Sequence, residues 1–195
     1  MGGLLYDLGS HLVDQALILF GPVGRVYAEV VVRRPGAEVD DDTFVALEHL
    51  NGVRSHLWMN LVAAHAGPRY RVLGSRGSFE KHGVDPQEAA LREGSLPGLG
   101  WGAEPEEAWG VLHTGATPSS GVGTGTGALG SDAARRVPSV PGDYPAYYRG
   151  IAAALRGPTP APVLPREAVA TLAVLEAARR SALDGGTVML GAQAG

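Results

Sequence analysis

The stretch TFVALEHLNGVRSHLWMNLVA, residues 43–63, carries the strongest β-hairpin signal in this chain. Two segments rich in apolar residues flank the dipeptide Asn51-Gly52, which favours a two-residue hairpin turn. With these two residues as the turn, Leu50 pairs with Val53 and Leu47 pairs with His56. One face is then predicted to face the core, and it carries Phe44, Ala46, Leu50, Val53, Leu57, Met59 and Leu61.

The opposite face of this predicted hairpin mixes apolar, aromatic and charged side chains. Its members are Val45, Leu47, His49, Arg54, His56, Trp58 and Asn60. Such a face is typical of a subunit interface, and a solvated surface is the alternative that the residues leave open. The histidines at positions 49, 56 and 65 are expected to face a partner subunit or solvent rather than a metal ion.

Further helices and strands are predicted on both sides of the hairpin. Helical spacing of apolar residues extends from Gly3 to Phe20 and ends at Gly21-Pro22. Strands are predicted at 25–33, 69–73, 77–81 and 187–190, and helices at 144–156 and from 165 to about 184. Because the strands cluster instead of alternating with helices, the order predicts an α+β fold with a mainly antiparallel, open-faced sheet and helices packed on one face.

Length and composition limit the possible classes of protein. A chain of 195 residues, 45% of them hydrophobic, is expected to form a single domain over 1–195, with a flexible Gly-rich loop at 115–135. A net charge of −4 without a basic run argues against a nucleic-acid partner. No uninterrupted apolar stretch of about 18 residues is present, so no membrane span is predicted. The absence of cysteine excludes disulfides and fits a cytoplasmic location.

The predicted first helix contains the residues best suited to chemistry. Asp7, His11 and Asp14 follow one another at spacings of four and three, which places them on one side of the helix. A carboxylate beside an imidazole could act as a general acid or base on a substrate hydroxyl. The same spacing also fits an ordinary surface pair, and the three side chains have donor types suitable for zinc or manganese.

Residues 2–14, GGLLYDLGSHLVD, resemble the signature of the Gfo/Idh/MocA family, the glucose–fructose oxidoreductase and inositol dehydrogenase group. That signature is a glycine-rich start followed by Asp-x-Gly-x-His-x-x-Asp. The segments 77–79, 85–88 and 141–148 resemble the branch that includes NADP-dependent scyllo-inositol dehydrogenases, and 177–186 resembles the closing helix of the family. The resemblance therefore covers nearly the whole chain.

The resemblance implies a dihydrodipicolinate reductase-like C-terminal domain that binds a sugar or polyol substrate and forms a homo-oligomer through the open sheet face. It implies that His11 accepts a proton from a substrate hydroxyl and that Asp7 orients His11 and binds substrate. Asp14 and Tyr6, from the same stretch, are candidates for substrate binding or for support of the site. Arg69 is a further candidate for substrate contact.

The sequence departs from the family pattern where the cofactor is concerned. Family members have a Rossmann domain that binds NADP or NAD and a catalytic lysine in a Glu-Lys-Pro motif. This sequence has no Glu-Lys-Pro, and we do not assign that role to Lys81, its only lysine. No glycine-rich turn in a βαβ context is present, and the run at 121–125 is low-complexity sequence. The cofactor is therefore expected to bind mainly to an N-terminal Rossmann domain absent from this chain, and the chain alone is expected to be inactive.

Two other functions remain open at this stage. The chain could be a free-standing oligomerisation or ligand-binding module without catalysis. It could also be a metal-dependent enzyme at Asp7, His11 and Asp14, although no metal is assigned in the leading interpretation.

Overall fold

The computed structural model describes residues 2–98, 100–114 and 133–191, which form two compact units. Unit 1 comprises residues 1–64 and 163–195, and unit 2 comprises residues 65–162. Most of the predicted loop at 115–135 lies outside the described residues, and its last three residues belong to a strand.

The helices and strands of both units are as follows. The helices are α1 (Leu8–Phe20), α2 (Gln87–Arg92), α3 (Tyr144–Arg156) and α4 (Pro165–Asp184). The strands are β1 (Val23–Val31), β2 (Asp42–His49), β3 (Arg54–Asn60), β4 (Tyr70–Gly74), β5 (Gly77–Lys81), β6 (Gly110–Thr114), β7 (Ala133–Val137) and β8 (Val188–Met189).

The strands form two four-stranded sheets, one in each unit. The order is β3-β2-β1-β8 in unit 1 and β4-β5-β6-β7 in unit 2, and every strand pair recorded among the described residues is antiparallel. The predicted α+β class is confirmed. The sequence predicted neither β6 nor β7.

The hairpin of β2 and β3 has a different register from the predicted one. Leu47 lies opposite Ser55 and not opposite His56. The closing pair is His49 and Val53, whose backbone hydrogen bond is 2.9 Å long, so the loop has three residues. Its last residue, Gly52, has φ 86°, as expected of the left-handed position in a three-residue hairpin loop.

This shift by one residue exchanges the two faces of β2, and the predicted assignment of those faces is wrong. Val45, Leu47 and His49 are buried, whereas Phe44 and Ala46 lie on the open face. The corrected open face of the hairpin carries Phe44, Ala46, Glu48, Arg54, His56, Trp58 and Asn60.

His49 is the histidine that the register shift buries. It is 2% exposed, and its Nδ1 donates a hydrogen bond of 2.7 Å to the carbonyl oxygen of Gly21. Its Nε2 lies 2.9 Å from Oγ of Ser55. The expectation that His49 faces a partner or solvent is wrong, because the ring joins the end of α1 to the hairpin.

The hydrophobic core of the described residues lies in unit 1. Helices α1 and α4 contact each other, α4 packs on β1, and α1 packs on β3. The buried apolar side chains are Leu4, Leu5, Val13, Ala16, Val23, Val26, Ala28, Val45, Leu47, Leu57, Met59, Val174, Leu175, Ala177, Ala178 and Val188. The helices therefore cover one face of the sheet and leave the other face open.

Polar contacts connect two of the sequence motifs of unit 2. Gln87 is 1% exposed, its Nε2 donates to Asp85, and its Oε1 accepts from the backbone N–H of Tyr144. A Cβ on Gly142 would lie 1.8 Å from Nε2 of Gln87, so only glycine fits there. The motif at 85–88 thus fixes the start of α3, whose first turn is capped by Asp143 as the sequence predicts.

Gly9 determines how closely α1 approaches its neighbours in unit 1. A Cβ at this position would lie 3.3 Å from Cδ2 of Leu175 on α4 and 3.3 Å from Sδ of Met59 on β3. Both atoms are ends of flexible side chains, so one added methyl group can be accommodated with small shifts.

We therefore expect Gly9→Val, but not Gly9→Ala, to destabilise the protein. The two γ carbons of valine would enter a packed core, which typically costs about 1–3 kcal/mol of unfolding free energy. Alanine adds one carbon and gains about 1 kcal/mol of helix propensity over glycine. Chemical denaturation of the three proteins measures both differences, and equal stability of the valine variant and the wild type would contradict this account of the packing.

Candidate active site

The exposed side of α1 carries the acidic and imidazole side chains of the sequence motif. Asp7 stands at the N-cap, and its carboxylate makes no capping hydrogen bond. Asp7 and His11 are exposed and Asp14 is half-buried, whereas Gly9 and Val13 lie on the buried side of the helix. The predicted placement of the three residues on one side of a helix therefore agrees with the structure.

The side chains of Asp7 and His11 are available to a ligand. Within the parts of the chain that the structure describes, neither side chain has a recorded hydrogen bond or ion pair, including one between the two. The backbone around them is ordered by hydrogen bonds: the N–H of Asp7 donates to Gly3, and Oγ of Ser10 donates to the carbonyl oxygen of Asp7. These bonds fix the backbone that carries the two side chains, and the side chains themselves stay accessible.

The metal alternative has no support in this geometry. Among residues 2–98, 100–114 and 133–191, no group of three His, Asp or Glu side chains is placed to hold a metal ion. Asp7, His11 and Asp14 share a helix side, but they do not converge on one point as a ligand set requires.

Tyr6 connects the start of α1 to α4. Its hydroxyl donates a hydrogen bond of 2.5 Å to Oε1 of Glu176, and Glu176 also pairs with Arg179 at 3.2 Å. Burial, followed by the hydrogen bond to Glu176, raises the pKa of Tyr6, and the hydrogen bond from Tyr6 lowers the pKa of Glu176. The hydroxyl proton of Tyr6 is therefore held by Glu176, a residue that the sequence did not single out.

Arg69 lies in unit 2, directly before β4. Its guanidinium carbon is 5.6 Å from the ring centroid of Tyr70, a cation–π arrangement on an exposed side chain. A role in substrate contact remains a prediction for this residue.

Lys81, the only lysine of the chain, links several segments within unit 2 through hydrogen bonds. Its Nζ donates to Glu104 at 2.9 Å, to the carbonyl oxygen of Ala108 at 2.7 Å and to that of His82 at 3.0 Å. The side chains of Lys81 and Glu104 are 14% and 11% exposed. All three protons of the ammonium group are used in these contacts.

The parallel strands that bind dinucleotides in Rossmann folds are not recorded among the described residues. Such cofactors bind at the carboxyl edge of parallel strands, with the pyrophosphate at a helix N-terminus. The strand pairs recorded here are antiparallel in both sheets. The glycine run at 121–125 lies outside the described residues.

Comparison with known proteins agrees with this arrangement. A family model of the Gfo/Idh/MocA group, described as "Oxidoreductase family, C-terminal alpha/beta domain", matches residues 1–190. The chain belongs to this oxidoreductase family. It is 37% identical over 190 residues to scyllo-inositol 2-dehydrogenase (NADP(+)) IolW of Bacillus subtilis and 36% identical over 190 residues to the oxidoreductase YdgJ of Escherichia coli.

The extent of these matches matters as much as their identity. They cover 96% of this chain but 49% of IolW and 50% of YdgJ, so the chain spans about half the length of these relatives. The solved structure of the oxidoreductase yvaA of Bacillus subtilis superposes with a TM-score of 0.86 at 36% identity, covering 97% of this chain and 52% of that one. The Gfo/Idh/MocA assignment thus rests on both sequence and fold.

No helix in the described part of the chain combines the length and the apolar character needed to cross a membrane.

The ion pair of Lys81 and Glu104 predicts how stability depends on pH. Burial, the largest single influence, acts to raise the pKa of Glu104, but hydrogen bonds from Ser139 and Lys81 outweigh it and lower that pKa below its usual 4.5. A carboxylate with a lowered pKa stabilises the folded state above its usual pKa, and this contribution is lost as the pH falls through the lowered value.

We expect Glu104→Gln to lower the free energy of unfolding by about 3 kcal/mol near neutral pH, because it leaves Lys81 buried without its counter-ion. The difference from wild type should shrink as the pH falls below 4.5. Denaturation at several pH values measures it. Glu88→Gln, which breaks an exposed pair with Arg92, is the control and should cost less than about 1 kcal/mol. If the difference in unfolding free energy between Glu104→Gln and the wild type stays constant down to low pH, the lowered pKa of Glu104 is refuted.

Proposed function

We propose that this chain is the substrate-binding, C-terminal half of an NAD(P)-dependent oxidoreductase that acts on a secondary alcohol of a sugar or cyclitol. The observation that carries the proposal is the exposed pair Asp7 and His11 on the ordered first turns of α1, in a chain that belongs to the Gfo/Idh/MocA family. The name of IolW, scyllo-inositol 2-dehydrogenase, supplies the substrate class.

In this proposal the two side chains act on the hydroxyl group of the substrate. His11 accepts the hydroxyl proton through a ring nitrogen, and Asp7 orients the substrate and stabilises the resulting imidazolium. Their exposure leaves room for a hydroxyl group to approach both. Asp14, half-buried one turn further along, supports the arrangement. Arg69, in unit 2, is a separate candidate for substrate contact.

The cofactor, NADP or NAD, belongs mainly to an N-terminal Rossmann domain in this proposal. Two observations support this placement: the strand pairs recorded among the described residues are antiparallel, unlike those of a Rossmann fold, and the chain spans about half the length of its relatives. The chain by itself is then inactive, and the complete enzyme works in the cytoplasm.

A fusion protein tests the proposed function. We expect no NADP+ reduction when the chain alone is mixed with scyllo-inositol or a panel of sugars. Turnover should appear when the N-terminal half of IolW precedes the chain in frame. In that fusion, His11→Ala should lower kcat by about 10²- to 10⁴-fold.

His65→Ala, at another exposed histidine, is the matched control and should keep the activity. Turnover by the chain alone would refute the need for a second half. A folded fusion that binds NADP+ and turns over none of the substrates would favour a binding module without catalysis.

The open sheet face of unit 1 supports a homo-oligomer. Trp58 is 70% exposed, and its ring centroid lies 4.4 Å from that of Phe44. The same face carries the ion pair of Arg25 and Glu48 nearer the hairpin loop. A sheet face that carries both an exposed aromatic pair and charged side chains has the composition of a protein–protein interface.

We therefore expect the chain to sediment as a dimer or tetramer. Trp58→Glu should raise the dissociation constant by at least about 30-fold, the effect of losing about 2 kcal/mol at an interface. Leu183→Glu, at an exposed apolar residue of α4 away from this face, is the control. A wild-type chain that stays monomeric at all concentrations would contradict the proposed oligomer.

A further inference from the structure

We propose that Asp40, in the loop between β1 and β2, is a positioning residue of the candidate active site. Its carboxylate holds the turn from which α1 starts, and thereby sets where Asp7 and His11 lie. The inference rests on the proposed function, because it gives Asp40 a role in the chemistry of those two residues. Nothing in the local sequence around Asp40 indicates such a role.

Asp40 binds the segment before α1 through both its side chain and its backbone. Its Oδ2 accepts hydrogen bonds from the backbone N–H of Leu5, at 2.8 Å, and from Oγ1 of Thr43, at 2.9 Å. Its carbonyl oxygen accepts from the N–H of Leu4 at 3.1 Å. Leu4 and Leu5 are 4% and 2% exposed, so these bonds satisfy backbone groups of two buried residues.

Gly3 lets the carboxylate come close enough to make these bonds. The residue has φ +93°, and a Cβ built on it would lie 1.8 Å from Oδ1 and 2.6 Å from Cγ of Asp40. Any side chain at position 3 would therefore displace the carboxylate. Gly3 and Asp40 therefore fit together as a packed pair, although only Gly3 belongs to the motif that the sequence reveals.

Two backbone hydrogen bonds connect this anchored turn to the first turn of α1. The N–H of Asp7 donates to the carbonyl oxygen of Gly3 at 3.1 Å, and the N–H of Gly9 donates to that of Leu4 at 2.9 Å. The acceptors for the start of the helix are thus Leu4, which is hydrogen-bonded to the backbone of Asp40, and Gly3, which lies against the Asp40 carboxylate. Displacement of Asp40 would therefore move Asp7 through the turn at residues 3–5 and would move His11 through the helix.

The neighbouring Asp41 provides a matched control in the same loop. Its carboxylate is fully buried and accepts from the backbone N–H groups of Arg33 and Arg34 and from Nε of Arg34. No hydrogen bond between its side chain and residues 2–14 is recorded in the described structure. Loss of Asp41 should release the loop at Arg33 and Arg34, whereas Asp40 keeps its own bonds to Leu4, Leu5 and Thr43.

Nuclear magnetic resonance on the intact chain tests the proposal. In Asp40→Ala we expect the amide hydrogens of Leu5 and Asp7 to exchange at least about tenfold faster, the effect of losing one hydrogen bond to a charged group. The ring signals of His11 should also shift. Asp40→Asn retains a carbonyl oxygen that can accept from Leu5, so it should restore both to near wild-type values. Asp41→Ala should leave both unchanged.

Two results would overturn the proposal: unchanged His11 signals in Asp40→Ala, or equal changes in Asp41→Ala. If Asp40→Ala fails to fold, Thr43→Val decides in its place, because it removes only the Thr43 donor to Oδ2 of Asp40. It should shift the His11 signals in the same direction by a smaller amount, and unchanged signals would again overturn the proposal.

Kinetics in the fusion with the N-terminal half of IolW separate this inference from the proposed function. Asp40→Ala should lower kcat per folded molecule by about 10- to 100-fold, as expected of a small displacement of catalytic groups, with the KM for NADP+ unchanged. A loss with His11→Ala but not with Asp40→Ala would refute the positioning role alone. Full activity of His11→Ala would refute the catalytic assignment and leave the resonance results standing.

Discussion

The close packing of α1 against α4 and β3 at Gly9 is the constraint on which the rest of unit 1 depends. The helix buries one side, with Gly9 and Val13, and so its opposite side must be exposed. That opposite side carries Asp7 and His11. The contacts that build the core thus also determine which way the candidate catalytic groups face, and a rotation of the helix would disturb both at once.

How much of the fold could be predicted depended on whether the signals were local. Asp143, Pro165 and Gly185 mark helix ends through capping and backbone geometry, and the bounds of α3 and α4 were predicted from them nearly to the residue. Asn51-Gly52 correctly predicted a hairpin but not its loop length. Two- and three-residue loops differ by one residue in register, and with a side-chain period of two this difference exchanged the faces of β2.

In the candidate site, too, only the residues marked by a local sequence signal could be predicted. Asp7 and His11 could be singled out because a helix brings residues four apart to one side, a rule that needs no knowledge of the fold. Their supports could not be found in this way. Glu176 meets Tyr6 across 170 positions of sequence, and Asp40 meets Leu5 across 35. Contacts at such separations follow from the tertiary fold, and no periodicity in the sequence records them.

Unit 1 is assembled from two segments of the chain, 1–64 and 163–195, with unit 2 encoded between them. The second segment supplies Val174, Leu175 and Val188 to the core that α1 and the first three strands begin. A ribosome that has made the first segment must add roughly 100 residues before it reaches α4, which takes about 5–20 s at typical rates of protein synthesis. During that interval the nascent chain exposes the apolar surface of an incomplete core, a condition that favours aggregation.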